Sequence, residues 1–330
     1  MNNQYLVDNI LSIEITKEPN RKGFGRGLLK AGQLDDNVVA ACADLTESTQ
    51  MHLFRDAFPD RFIEIGVAEQ NLVTVGSGLA SQGKIPFVSS YATFSPGRNW
   101  EQIRTTICLN DRPVKIIGSH AGVSVGPDGA THQMLEDIAI MRVLPNMVVI
   151  APCDSVEAEK ATLAMAKDNR PTYMRLAREA SAVITTLDAP FEIGKAYVYS
   201  EGSDVTIVAT GTMTYQALIA VEKLRKDGIS AELVHCPTIK PLDEKTILGS
   251  VHKTGAVVTA EEAQMNGGLG SVVAELLSEH LPAPLFRIGV KDRFGESGKP
   301  DELAESLGLT AKHIALAVHS VIERKAKGGV

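Results

Sequence analysis

The sequence has little of what several broad protein classes require. Its 330 residues hold one tryptophan, and aromatics make up 5% of the chain. That argues against a stacking platform for single-stranded nucleic acid. Its four cysteines, Cys42, Cys108, Cys153 and Cys236, are far apart and form no Cys-x-x-Cys pair. No disulfide framework or cysteine-rich zinc site is expected, and a reducing, cytoplasmic setting is. Positive charge is not in excess: 33 lysines and arginines stand against 40 acidic residues, a net charge of −7. This is the wrong balance for a nucleic-acid binder that neutralises phosphates. The longest uncharged run, Val205–Val221, is interrupted by Thr, Gly, Tyr and Gln, so it reads as a strand followed by a helix and not as a membrane span. The first residues lack the basic segment and apolar core of a signal peptide. No G-x-x-x-x-G-K-[ST] loop, internal repeat or low-complexity tract occurs.

What is present is an ordinary folded composition, 44% hydrophobic and 22% charged, on a chain long enough for two domains. Short Val- and Ile-rich runs predict strands at Asn37–Cys42, Phe62–Ile65, Ile85–Ser90, Val114–Ser119, Met147–Ala151 and Thr172–Leu176. Helical patterns fall between them at Ala68–Ser81, Arg98–Leu109, His132–Arg142 and Ser155–Lys167. This alternation predicts an α/β fold with a mostly parallel sheet. Asp188, Pro190 and Gly194 break the pattern, after which it resumes with strands at Val205–Ala209, Ala231–His235 and Ala256–Ala260 and helices at Tyr215–Lys226 and Ser271–His280. The expected organisation is an N-terminal extension (1–20), a first domain (21–187) and a smaller α/β domain (188–330). The basic, Gly-ended tail Glu323–Val330 is expected to fray.

Chemistry-bearing residues concentrate after predicted strands, where α/β proteins build ligand sites. Glu69, in Gly66-Val-Ala-Glu-Gln-Asn71, opens a helix, where a carboxylate suits the positive end of the dipole. The segment Ser119–Gln133 carries Gly122, Gly126 and Gly129 with His120, Asp128 and His132. Glycines of this kind let backbone approach a ligand, and a plain surface turn does not account for the flanking histidines. Two decoys lie in the same loop. Gly122-Val-Ser-Val-Gly126 matches a nucleophile-elbow pattern, but Ser124 lies well past the strand end and Pro127-Asp128-Gly129 follows it before any helix. His120, Asp128 and His132 lack metal-motif spacing. Tyr91, Phe94 and Trp100 read equally as core or as the wall of a flat ligand's pocket. Asp44-Leu-Thr-Glu-Ser48 reads as a helix cap by Asp44 or Thr46, and Arg178 as a surface charge or an anion clamp. Gly267-Gly-Leu-Gly270 reads as a tight helix entry.

Taken together, Asp44-Leu-Thr-x-Ser48, Gly66-x-x-Glu69, Thr93-Phe94 and His120…Gly126-Pro-Asp-Gly-x-Thr-His-Gln133 resemble the transketolase family. The resemblance runs from about Arg21 to the last helices and covers that family's pyrimidine-binding and C-terminal domains. The family's diphosphate-binding domain carries a Gly-Asp-Gly motif, and no Gly-Asp-Gly occurs here. The sequence therefore resembles the C-terminal subunit of a split transketolase. This implies transfer of a two-carbon ketol unit between sugar phosphates, with thiamine diphosphate as cofactor. It also implies an N-terminal partner subunit that holds the diphosphate and a divalent metal (Mg²⁺ or Ca²⁺), an α2β2 assembly, and no metal ligand on this chain. Neither nucleic acid nor membrane is an expected partner.

By the same resemblance Glu69 hydrogen-bonds the aminopyrimidine nitrogen N1′ and so favours the tautomer able to accept the reacting proton. Phe94, Trp100 and Asp44 join it in binding the cofactor, with Gly97 standing where many transketolases have a phenylalanine. His120, Asp128 and His132 line the donor channel: Asp128 accepts from a sugar hydroxyl and His132 assists proton movement. Ser48, Arg178, Arg21 and His120 match positions that bind the sugar phosphate. The second domain is expected to support dimer contacts. The alternatives are a deoxyxylulose-phosphate synthase-like or 2-oxo acid dehydrogenase β-like subunit, a non-catalytic assembly partner, and a hydrolase built on Ser124.

Overall fold

The computed structural model describes residues 4–328. In the first half its strands are β1 (Lys17–Pro19), β2 (Val38–Cys42), β3 (Phe62–Glu64), β4 (Ile85–Tyr91), β5 (Lys115–Ala121), β6 (Val148–Ile150), β7 (Thr172–Ala177) and β8 (Ala180–Ala182). In the second half they are β9 (Tyr197–Ser200), β10 (Val205–Ala209), β11 (Ala231–His235), β12 (Thr238–Lys240), β13 (Val257–Gln264) and β14 (Leu285–Val290). The order β6–β7–β5–β4–β2–β3 is parallel throughout, and β12 joins it antiparallel beside β6. In the second sheet β14–β13–β10–β11 is parallel and β9 closes one edge antiparallel to β11. This is the two-domain α/β architecture that the alternation predicts.

Strands β2, β5 and β7 are buried at every residue, as parallel strands covered on both faces must be. Alternate residues feed opposite layers. From β2, Val38, Ala40 and Cys42 pack with Phe24, Leu28, Ala158 and Met165, whereas Ala41 packs with Leu72, Ile103, Ile138 and Met141. The second sheet is covered the same way, by the helices Met213–Lys226 and Ala311–Ala326 on one face and Glu244–Thr254 and Leu269–His280 on the other. Among the described residues no helix is long and apolar enough to cross a membrane.

Several expectations need correction. A helix spans Asn20–Leu34 where none was expected. Its four glycines, Gly23, Gly25, Gly27 and Gly32, lower helix propensity, and the reason for them is tertiary. A Cβ at Gly23 would lie 1.8 Å from the Ser155 carbonyl oxygen, and one at Gly27 2.8 Å from that of Glu159. The glycines let this helix lie directly against Ser155–Lys167. Asp44 and Thr46 cap no helix; the nearest helix begins at His52, and the Thr46 hydroxyl instead donates to Glu64. The segment Arg98–Leu109 is a short α-turn, Trp100–Gln102, continued by a π-helix, Ile103–Cys108. The helix expected from His132 begins only at Asp137. The tail is ordered to Ala326: Lys325 Nζ donates to the Thr254 carbonyl at 2.7 Å and the Arg324 guanidinium lies over the Phe286 ring. The last two residues of the tail, like the first three of the N-terminal extension, lie outside the described residues. The rest of that extension is packed, with Leu6, Ile10 and Ile15 in the second domain's core and β1 paired with β8.

In the first sheet the chain moves outward from β2 to β3 and then returns to β4 on the other side of β2. The carboxyl ends of β2 and β4 thus flank a topological switch point, where α/β sheets open a crevice. Replacing Gly23 by alanine is expected to destabilise the fold by about 1–3 kcal/mol through overpacking against a backbone that cannot yield. A lowered thermal midpoint checks this, and an unchanged midpoint would contradict the close helix contact.

Candidate active site

The residues singled out in the sequence gather at the carboxyl ends of the first sheet's parallel strands. Asp44 follows β2, Glu69 follows β3, Tyr91 ends β4, His120 lies at the end of β5 and Arg178 follows β7. Glu69 is the first residue of the helix Glu69–Ser81 and is 2% exposed. Its Oε2 accepts from Arg98 Nη1 at 2.6 Å, and its backbone carbonyl accepts from Asn99 Nδ2 at 2.8 Å. Its Oε1 has a 3.5 Å contact from the Ser90 hydroxyl, at the outer limit of a hydrogen bond, so acceptor capacity remains. The carboxylate borders an open groove lined by Val67, Gln70, Asn71 and Arg98.

Beside this groove four rings stand together. Tyr91 stacks on His120 with centroids 3.9 Å apart and on Phe94 at 6.4 Å, while His132 meets Phe94 edge-on at 5.6 Å. Arg98 covers Phe94, its guanidinium carbon 4.9 Å from the ring centroid. A Cβ at Gly97 would lie 2.0 Å from the Thr93 carbonyl oxygen, so this backbone has no room for an aromatic side chain there. Trp100 turns into the core, its indole N–H donating to the Ile140 carbonyl at 2.6 Å. His120 is 3% exposed and holds a positive φ of 58°. Its Nδ1 lies 2.9 Å from the Ser119 hydroxyl. Burial, and after it the charges of Arg21 and Arg178, pull its pKa down to about 3, so the imidazole is neutral at pH 7.

The two arginines make the third part of the site. Arg21 Nη1 donates to the Ser48 carbonyl at 2.8 Å, while its buried Nε has no partner. Burial pulls its pKa below the ordinary arginine value, with the nearby Arg178 charge adding to the effect. Arg178 Nη1 donates to the Val125 carbonyl at 2.6 Å and stands 3.8 Å from the half-exposed Asp128 carboxylate. Two neighbouring cations, one with an unused buried donor, are chemically suited to an anion. Asp44 is exposed with φ 58° and lies at the switch point, its backbone N–H donating to Glu64 at 2.7 Å. The structure therefore joins Glu69 to Phe94, then to His120 and His132, then to Arg21, Arg178 and Asp128; Trp100 stands behind the wall.

Two contributors, Arg98 and Glu64, escaped the sequence reading, and a third, Tyr91, was noted there without a role. Arg98 read as a helix start, although it follows the aromatic pair by a helical step. Tyr91 was one aromatic among several. Glu64 ties the turn after β2 to the turn before Glu69, accepting from Asp44 N, Thr46 Oγ1 and Gly66 N at 2.7–3.0 Å. The decoys fare differently. Ser124 sits inside the 3₁₀ turn Val123–Asp128, and its buried hydroxyl has no hydrogen-bond partner, so no base activates it. Among the described residues, His120, Asp128 and His132 form no convergent ligand set. The set that converges is Cys153, Glu157 and His235, buried at the domain junction, where His235 Nε2 is already bonded to Glu157 at 2.9 Å.

The chain was compared with known proteins. Residues 17–182 match the pyrimidine binding domain of transketolase, and residues 194–314 match the transketolase C-terminal domain. A 6-deoxy-6-sulfo-D-fructose transketolase subunit, SqwH, from Clostridium sp. (strain MSTE9) is 45% identical over 298 residues, covering 90% of this chain and 92% of that protein. An apulose-4-phosphate transketolase subunit from Phocaeicola vulgatus is 36% identical, covering 89% of this chain and 94% of that protein. Among solved structures, a split gene transketolase described as an inactive beta4 tetramer superposes with a TM-score of 0.87 at 44% identity, covering 92% of this chain and 98% of that one.

The low His120 pKa generates a prediction. An unfolded histidine takes its proton near pH 6.5, whereas folded His120 does so only near pH 3. Between those values the unfolded chain binds more protons, so stability falls as pH drops from about 6.5 toward 3. The His120 ring-proton resonance is expected to stay at its neutral position from pH 8 to pH 5. In His120→Asn, which tolerates the positive φ, stability should decline less steeply on acidification. A His120 midpoint near 6 would contradict the assignment.

Proposed function

The chain belongs to the transketolase family, and we propose that it is the C-terminal subunit of a split transketolase. It would work with an N-terminal partner subunit, in an α2β2 assembly, on thiamine diphosphate shared between the two. The single observation that carries this reading is the buried Glu69 carboxylate, held at a helix start beside an aromatic cluster and an anion subsite. Two further points support it. Relatives named as transketolase subunits span nearly the same length, and the similar solved chain is described as inactive as a tetramer of its own kind.

The residues fit the cofactor's aminopyrimidine half. Glu69 Oε1 has spare acceptor capacity, and Phe94 presents a ring beside it. When bound, thiamine diphosphate supplies the electron sink for carbon–carbon cleavage. Glu69 holds the proton at the ring nitrogen N1′. Phe94, with Asp44 at the switch point, orients the ring, and Trp100 backs the wall from the core. Neutral His120 donates to or accepts from the donor sugar without adding charge. His132 moves the proton at the cleaved carbon–carbon bond, and Asp128 accepts from a sugar hydroxyl. Arg21, Arg178 and Ser48 bind the donor's terminal anion, a phosphate or, by analogy with the SqwH relative's substrate, a sulfonate. The diphosphate and its Mg²⁺ or Ca²⁺ belong to the partner, since this sequence has no Gly-Asp-Gly. The domain division at about residue 187, a cytoplasmic setting and a place in pentose phosphate metabolism complete the proposal.

The test is a two-substrate assay on the chain co-purified with its partner, with xylulose 5-phosphate and ribose 5-phosphate as substrates and sedoheptulose 7-phosphate as readout. Glu69→Ala in that complex is expected to lose about 10²–10⁴-fold in turnover while folding normally. Arg178→Ala is expected to raise the KM for phosphorylated donors, in line with the loss of a charge-assisted contact. Near-normal turnover of the Glu69 variant would sink the reading.

A further inference from the structure

The loop that carries Asp128 and His132 has little regular structure. From Gly122 to Glu136 its regular structure is one 3₁₀ turn, Val123–Asp128, kinked at Gly126. Three of its glycines have positive φ, and each faces the second domain. A Cβ at Gly122 would lie 2.4 Å from Glu262 Oε1, one at Gly126 3.1 Å from Pro300, and one at Gly129 2.5 Å from the Ser297 hydroxyl. The contact is reciprocated: Gln133 Nε2 donates to the Glu296 carbonyl at 2.9 Å, and also bonds the Gly126 carbonyl within the loop at 3.0 Å.

Glu262 is the charged member of this clamp. It lies on β13 of the second domain and is 7% exposed. Oε1 accepts from the Ser124 backbone N–H at 2.8 Å, and Oε2 accepts from the Thr212 hydroxyl at 2.9 Å. Two peptide units further along the loop, the Val125 carbonyl receives Arg178 Nη1 at 2.6 Å. A continuous path thus runs from Thr212 through Glu262, Ser124 and Val125 to the arginine of the anion subsite. A hydrogen bond to a carboxylate is a strong one, and this one acts two peptide units from the carbonyl that aims Arg178.

We infer that Glu262 is a positioning residue for the donor sugar: through Ser124 and Val125 it fixes the direction of Arg178 and the loop bearing Asp128. This gives the second domain a part in substrate binding, apart from any role in dimer contacts. The inference rests on the reading of Arg178 as an anion ligand.

The test uses the complete complex with Glu262→Ala, Glu262→Gln and Thr212→Val. Two readouts are taken: the KM and kcat for xylulose 5-phosphate, and amide hydrogen exchange across residues 123–128 without substrate. Glu262→Ala is expected to raise KM roughly tenfold, as loss of one charge-assisted hydrogen bond would, with kcat changed less than about twofold. Exchange at 123–128 should rise, while exchange in the helix Glu69–Ser81 should not. Glu262→Gln keeps an acceptor oxygen and should restore most of the KM. If the alanine variant does not assemble, Thr212→Val, which removes one tie to the carboxylate, should show the same pattern with smaller size. Unchanged exchange at 123–128, or a lowered kcat at unchanged KM, would overturn the proposal. If the wild-type complex shows no ketol transfer, the functional reading fails, and the exchange result still decides the clamp.

Discussion

The buried guanidinium of Arg175 is the fixed point around which the site is assembled. It lies within β7 at 7% exposure and pairs with Asp137, itself fully buried, at 2.9 Å. Asp137 also accepts from the Tyr173 hydroxyl at 2.7 Å. Arg175 Nη2 then donates to the Glu262 carbonyl at 2.7 Å and lies 3.4 Å from the Met134 carbonyl. One side chain therefore ties together the central sheet, the helix after the active-site loop, the loop's last residues and the second domain. Such a pair adds little net stability over an apolar core, but removing one partner strands a buried charge at a cost of about 3–5 kcal/mol. Its value is that it fixes one relative placement of the pieces it joins.

That placement matters because the site residues come from separate segments. Tyr91 and His120 sit at the ends of their strands, Arg178 directly follows β7, and Glu69 opens the helix after β3, all on the rigid frame of the sheet. Asp128 and His132 sit on a loop with no ladder of its own. The sheet can orient the first group, while the second needs support from outside, which Arg175, Glu262 and the Glu296 carbonyl that receives Gln133 provide. Such a division between rigid strand ends and a braced loop is what pre-organised sites require.

Most of the fold was legible because its strands are buried on both faces and read as continuous apolar runs, as Val114–Ile117 does. The placement of Glu69 and His120 at or after strand ends followed from that. What escaped notice depends on tertiary context. The glycine-rich helix Asn20–Leu34 contradicts its propensity and is explained by how closely it lies on Ser155–Lys167. Strand β12 is three residues long, and it pairs with a sheet that belongs to the other half of the chain. Arg98 and Glu262 carry no local signal: one becomes meaningful only beside Glu69, the other only beside Gly122 and Ser124. The family resemblance put Trp100 beside the cofactor, but its indole N–H is used by the core.

The account's central claim is that this chain holds half of a cofactor site. It is tested most directly by calorimetric titration of thiamine diphosphate with Mg²⁺ into the chain alone, its partner alone, and their complex. Tight binding in the complex, weakened by Glu69→Ala, with no comparable binding to this chain alone, is the predicted result. Binding to the isolated chain as tight as to the complex, or binding to the complex indifferent to Glu69, would contradict it.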